Sequence, residues 1–66
     1  MTVTANGKTR AVGSGTSVSD LLVQLGLDAA RVVVEHNGEP LKRDRFSATV
    51  LQAGDALEIA QMVGGG

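Results

Sequence analysis

The stretch Ser17-Val18-Ser19-Asp20-Leu21-Leu22-Val23-Gln24-Leu25-Gly26 decides the fold of this chain. Apolar side chains recur at positions 18, 21, 22 and 25, which is the spacing of one face of an α-helix. Ser17 is a favourable N-cap, Asp20 follows it in a weak form of the capping box, and Gly26 suits a left-handed C-terminal cap. So short a helix is not stable in isolation, and the sequence therefore predicts a sheet beneath its apolar face.

The segments on both sides of the helix are typical of short β-strands. Asn6-Gly7 and Asn37-Gly38 each lie between extended stretches and predict tight turns, because both residue types tolerate a positive φ. The register of the first hairpin stays open, since a two-residue loop sets Val3 opposite Arg10 and a three-residue loop pairs Val3 with Ala11. The predicted strands are residues 1–5, 8–12, 32–34, 49–51 and 56–63, with a short edge segment at Leu41 after Pro40.

The order of these elements predicts a two-layer fold. A hairpin, a helix and further strands can place one amphipathic helix across a mixed sheet. The first and last strands can then lie side by side, because the helix provides the crossover. Phe46, the only aromatic residue, is expected to anchor the irregular stretch against the core. We therefore expect an α+β fold of the β-grasp type, with one domain over residues 1–66 and a flexible tail at 64–66.

The composition excludes several classes of function. The chain has 66 residues, of which 42% are apolar and 20% charged, as in an ordinary soluble domain. It has no cysteine, which excludes a disulfide framework, thiolate metal ligands and a cysteine nucleophile. A net charge of −1 argues against nucleic acid as a partner. No apolar run exceeds three residues, so we expect no membrane span and a cytoplasmic location.

The chain ends with Met62-Val63-Gly64-Gly65-Gly66. Glycine has no side chain, so this end is the thinnest that a polypeptide can have. Three extended residues reach roughly 10 Å, enough to carry the terminal carboxyl group into a narrow cleft of another protein. A frayed terminus is the alternative. It is disfavoured because no linker separates the glycines from the strand-like run before them.

The remaining candidate residues do not form a catalytic or metal-binding pattern. His36 is the only histidine and is interpreted as a polar residue at a strand end. Asp55 is expected to serve the turn that it forms with Gly54. The pair Gly13-x-Gly15 precedes a helix, but it lacks the third glycine and the lysine of a phosphate-binding loop.

These features together resemble the ubiquitin-like ThiS family, the sulfur carrier proteins of thiamine biosynthesis. The resemblance covers nearly the whole chain, and it rests on the combination of its segments with the terminal Gly-Gly, since the short aliphatic patterns are individually weak. The segments that carry it are the hairpin with Asn6-Gly7, the helix at 17–22, the stretch Val-Val-Val-Glu-His-Asn-Gly-Glu at 32–39, Phe46, and the end from Gly54 to Gly66.

The resemblance implies a protein cosubstrate that is not itself an enzyme. In that family, an adenylyltransferase similar to ubiquitin-activating enzymes uses ATP to adenylate the terminal carboxylate. Sulfur from a sulfurtransferase or cysteine desulfurase system then displaces AMP, and thiazole synthase takes it from the resulting thiocarboxylate. By this resemblance Gly66 bears the reactive group, Gly64 and Gly65 give clearance for entry into active sites, and the chain itself binds no cofactor.

Two apolar residues beside the tail are candidates for partner docking. Ala60 and Met62 alternate away from Leu57 and Ile59, so they form either an exposed docking patch or part of a core on the second face of the sheet. Two related functions also stay open: a thiocarboxylate carrier for molybdopterin synthesis, and a ubiquitin-like modifier conjugated to lysines.

Overall fold

The computed structural model describes residues 1–63 and shows one helix against a five-stranded sheet. The elements are β1 (Thr2–Ala5), β2 (Lys8–Ala11), α1 (Val18–Gln24), β3 (Val32–His36), β4 (Glu39–Leu41) and β5 (Ala56–Gln61), with single 3-10 turns at Ala29–Arg31 and Arg43–Arg45. The strand order is β2-β1-β5-β3-β4. Strands β1 and β5 run parallel and the other neighbours antiparallel. The expected α+β β-grasp fold is confirmed, including the adjacent first and last strands.

Helix α1 forms where its caps and apolar spacing predict it. The Ser17 hydroxyl accepts a hydrogen bond from the Asp20 N–H at 3.0 Å, and the Asp20 carboxylate accepts one from the Ser17 N–H at 3.0 Å. The capping box is therefore complete, not the weak form expected from the sequence. Beyond the helix, Gly26 has a φ of +72°, which is the left-handed conformation predicted for it.

The core lies in a single layer between the helix and one face of the sheet. Phe46 is buried in it, as expected from the sequence. Alternate residues of the three inner strands point into this layer, and their neighbours point to the outer face, which no other element of residues 1–63 covers. The buried apolar residues are Val3, Ala5, Val12, Val18, Leu21, Leu22, Val32, Val34, Phe46, Leu51, Leu57 and Ile59.

The first hairpin adopts the two-residue loop. Val3 lies opposite Arg10 and Ala5 opposite Lys8, so Asn6 and Gly7 alone form the turn. Their φ angles are +52° and +80°, and two successive positive values match the twist of the flanking strands.

The predicted strand at residues 49–51 is wrong. Val50 makes only one isolated bridge, to Ser17. The flanking hydrogen bonds run from the Val18 N–H to the Thr49 carbonyl at 2.9 Å and from the Leu51 N–H to the Thr16 carbonyl at 2.8 Å. The segment thus pairs with the entrance to the helix and is not a strand of the five-stranded sheet. The last strand is also shorter than predicted and ends at Gln61.

Both Asn-Gly turns attach to the central strand β5. The Asn6 side chain accepts a hydrogen bond from the Ile59 N–H at 2.7 Å and donates one to the Ile59 carbonyl at 3.0 Å. On the opposite side of the strand, the Asn37 side chain accepts a hydrogen bond from the Ala56 N–H at 2.8 Å. The asparagine amides therefore continue the sheet hydrogen bonding past the ends of β1 and β3.

We expect Asn6→Gly to destabilise the fold by about 1–2 kcal/mol, measured by urea denaturation. Glycine tolerates the positive φ at this position, so the variant removes the two side-chain bonds to Ile59 without backbone strain. Asn6→Asp keeps an acceptor for the Ile59 N–H and loses the donor, so an intermediate loss is expected. A stability of Asn6→Gly equal to that of the wild type would show that water replaces these bonds fully.

Candidate functional site

The C-terminal end of β5 leads directly out of the fold. One residue past the strand, the Met62 N–H donates a hydrogen bond to the Arg31 carbonyl at 2.8 Å. The next residue, Val63, is 96% exposed. The central strand therefore delivers the chain to the surface with no intervening loop. Gly64, Gly65 and Gly66 lie outside the described residues, so the flexible tail and the roles predicted for these glycines stay predictions.

The apolar residues beside this exit are exposed. Ala60 lies on the outer face of the sheet, away from the buried Leu57 and Ile59, and Met62 is 46% exposed. The alternative that they form a core on the second face is therefore wrong for residues 1–63. Val33 lies opposite Ala60 in the register and is 55% exposed. We call Val33, Ala60 and Met62 the apolar patch; its role in docking stays a prediction.

A polar network lies at the opposite end of β5, around Asp55. The carboxylate of Asp55 is 2.9 Å from the His36 Nε2, accepts a hydrogen bond from the Gln52 N–H at 2.8 Å, and accepts another from the Asn37 amide at 3.1 Å. Asp55 is 8% exposed, so these partners replace the water that its burial removes. Burial raises the pKa of Asp55, but the hydrogen bonds and the His36 charge outweigh it, and its pKa lies below the ordinary 3.8.

The geometry of this network indicates a role in holding the fold together. The side-chain oxygens of Asp55 are occupied by partners that fix the turn before β5 and the end of β3. The sequence predicts the turn at Asp55 but not its contact with His36. The two residues are 19 positions apart, and only the register of β3 against β5 brings them together. In the part of the chain that the structure describes, no cluster of three or more His, Asp or Glu side chains is arranged to hold a metal ion.

The fold and the exposed exit of β5 define a ubiquitin-like β-grasp protein whose central strand ends at the surface, with Val63 almost fully exposed. Within residues 1–63, the helix is too short to cross a membrane. The exit of β5, the apolar patch beside it and the uncovered outer face of the sheet together form the candidate site.

The chain belongs to the ThiS family, whose sequence profile matches residues 2–66. It is similar to the ThiS thiamine biosynthesis protein of Geobacter metallireducens. The crystal structure of that protein superposes with a TM-score of 0.82 at 43% identity and 100% coverage of both chains. Its solution structure gives a TM-score of 0.78 at 42% identity, covering 100% of this chain and 88% of the other.

Two curated relatives are longer proteins named thiazole synthase. They come from Magnetococcus marinus and Paramagnetospirillum magneticum, and each is 35% identical to this chain over all 66 residues. The chain spans only 20% of the length of either relative.

We expect stability to fall in acid through Asp55. Because the folded-state pKa of Asp55 is lowered, its contribution is present above the unfolded-state value near 3.8 and is lost as the pH falls through the lower folded-state value. Asp55→Asn should be less stable than the wild type near neutral pH, and the gap should narrow in acid, as measured by urea denaturation between about pH 7 and about pH 2.

Asp44→Asn is the matched control for this experiment, since Asp44 is an exposed carboxylate in the 3-10 turn at Arg43–Arg45. It should stay close to the wild type throughout. A constant gap between the wild type and Asp55→Asn at every pH would contradict the assigned pKa shift.

Proposed function

We propose that this chain is a sulfur carrier for the formation of the thiazole ring of thiamine. The terminal carboxylate of Gly66 is adenylated by a partner enzyme, converted to a thiocarboxylate, and used as the sulfur donor by thiazole synthase. The chain acts as a protein cosubstrate and not as an enzyme. The strongest support is membership of the ThiS family across residues 2–66, with full-length similarity to a ThiS protein of known structure.

The chemistry explains why the terminal carboxyl group has to be activated. A carboxylate is a poor electrophile, because its oxygen is a poor leaving group. Attack of the carboxylate on ATP gives an acyl adenylate and pyrophosphate. Hydrosulfide can then displace AMP from the acyl carbon to give the thiocarboxylate directly. A persulfide that displaces AMP gives an acyl disulfide instead, and a thiol then cleaves its S–S bond, which releases the thiocarboxylate and leaves a disulfide. The resulting thiocarboxylate is itself a sulfur nucleophile. ATP belongs to the activating partner, and this chain binds no cofactor in the proposed cycle.

The residues of the chain serve delivery and protection of the sulfur. Gly64 and Gly65 add no side chain beside the reacting carbon, so the end can enter an active site of small cross-section. The chain has no cysteine, and its own side chains therefore offer no thiol that could exchange with the carried sulfur. The apolar patch, with Ala60 and Met62 next to the tail, is the proposed docking surface.

Thiazole synthase is the partner with the most direct support. In the two curated relatives, the segment that matches this chain is part of a longer polypeptide named thiazole synthase. The other proposed partners follow from the chemistry: an adenylyltransferase related to ubiquitin-activating enzymes, and a sulfurtransferase or cysteine desulfurase system that supplies sulfur. The proposal places the chain in the cytoplasm with these enzymes.

The proposal predicts a mass change of the intact protein. After incubation with the activating enzyme, ATP and a sulfur source, the mass should rise by the difference between one sulfur and one oxygen atom. Tandem mass spectrometry should locate this change at Gly66. A chain that never acquires sulfur under these conditions would contradict the carrier function, and isopeptide-linked products at lysines would identify a protein modifier instead.

Deletion of Gly66 tests how far the tail must reach. The shortened chain still ends in Gly64-Gly65, but its carboxyl group is withdrawn by roughly 3.5 Å, and misplacement of this size costs much of the rate. We expect loss of sulfur loading with an unchanged urea denaturation curve. Gly65→Val is the complementary variant, because it keeps the length and adds a side chain. Loss of the fold on deletion of Gly66 would show that the tail is structural.

A further inference from the structure

Two glutamates are directly opposed at the centre of the outer face of the sheet. Glu35 on β3 and Glu58 on β5 are register partners in the antiparallel pair. Both are exposed and point away from the helix, since they alternate with the buried Val34, Leu57 and Ile59. Directly opposed residues in such a pair have Cβ atoms roughly 5 Å apart, where like charges destabilise the sheet.

No basic side chain of residues 1–63 forms a salt bridge with either glutamate. The one carboxylate contact of this kind among those residues joins Asp55 to the His36 ring, in the network already described. The neighbours of the two glutamates on the outer face are uncharged: Pro40 lies opposite Glu35 on β4, and Ala56 and Ala60 flank Glu58 along β5. Two like charges opposed in this way are expected to repel each other in the free protein.

The pair has no evident role in folding. Charged side chains on edge strands prevent unwanted strand pairing, but β3 and β5 each have a strand on both sides. Solubility does not require two like charges at adjacent central positions either, since other exposed positions could carry them. A local arrangement that lowers stability is typical of a functional surface.

We propose that Glu35 and Glu58 form, with the apolar patch, one docking surface for thiazole synthase, whose contacting surface places an arginine or lysine side chain between the two carboxylates. This inference rests on the proposed function. An arginine is especially suitable, because its planar group donates several hydrogen bonds to carboxylates in a fixed geometry. A cationic side chain of the partner would relieve the repulsion between the two glutamates. Binding would therefore stabilise the opposed pair, which is unfavourable in the free protein.

Because Glu35 and Glu58 lie close to the exit of β5, the expected partner is an enzyme that binds the C-terminal tail in its active site. Ala60 follows Glu58 by two residues on the same face, and Met62 continues this line to the exit of the chain. An enzyme that holds the tail in its active site is therefore brought next to this face. Thiazole synthase is the candidate because the matched segment shares a polypeptide with it in the two curated relatives.

The two parts of the surface serve different purposes. The apolar patch supplies contact area that is removed from water on binding. The glutamates steer the approach and fix the orientation of the partner, as charged groups at interfaces do. Because the net charge of the chain is only −1, the steering in this proposal comes from the local pair and not from the charge of the whole chain.

The test uses Glu35→Gln, Glu58→Gln and the double variant with purified thiazole synthase from the same organism. We expect the double variant to bind roughly tenfold more weakly at low salt, and the difference from the wild type to shrink as salt is added. The unbound variants should be as stable as the wild type or more stable in urea, because the repulsion is relieved. Glu39→Gln is the matched control, since Glu39 is an exposed strand residue on the other face of the sheet.

Three results would overturn the inference: equal affinity of the double variant and the wild type, an equal loss for Glu39→Gln, or a loss of folding stability in the glutamate variants. An effect confined to the activating enzyme, seen as a raised KM for adenylation with unchanged binding to thiazole synthase, would overturn the assigned partner. Binding to thiazole synthase is measured with the chain before any sulfur has been loaded onto it. A failure of sulfur loading in the wild type would therefore contradict the proposed function separately from this docking surface.

Discussion

Strand β5 is the element on which both the sheet and the candidate site depend. It pairs with β1 on one side and with β3 on the other, so removing it would leave two separate hairpins. Leu57 and Ile59 on one face are buried under the helix, whereas Ala56, Glu58 and Ala60 on the other are exposed. The same six residues therefore close the hydrophobic core, present the outer surface and lead to the chain end.

The two ends of β5 have different physical characters. At its start, Asp55 is buried and fully hydrogen-bonded, and this network fixes the strand relative to His36 and the second turn. At its end, the hydrogen bond of Met62 to Arg31 is followed by a nearly fully exposed Val63. A hydrogen-bonded start and an exposed end of this strand are compatible with the proposed carrier role, in which other proteins act on the chain end.

Local chemistry was enough to predict the helix, its caps and both Asn-Gly turns, because each depends on residues close together in the sequence. The strand at 49–51 was predicted wrongly, since β-branched residues show a preference for extended backbone but not the presence of a partner strand. The contact between His36 and Asp55 was missed because it depends on the register of β3 against β5, and local sequence does not reveal which strands are paired. Alternation placed Ala60 and Met62 on the face opposite Leu57, but only the packed structure shows that no element of residues 1–63 covers this face.

The parallel pairing of β1 with β5 has a consequence for biosynthesis on the ribosome. The N-terminal hairpin emerges first, yet its inner edge has no neighbour until residues 56–61 have been translated, so the nascent chain closes its sheet only late. A prematurely terminated product lacks the central strand, exposes the apolar face of its helix and is open to proteases. The native sheet can therefore form completely only after residues 56–61 have been translated.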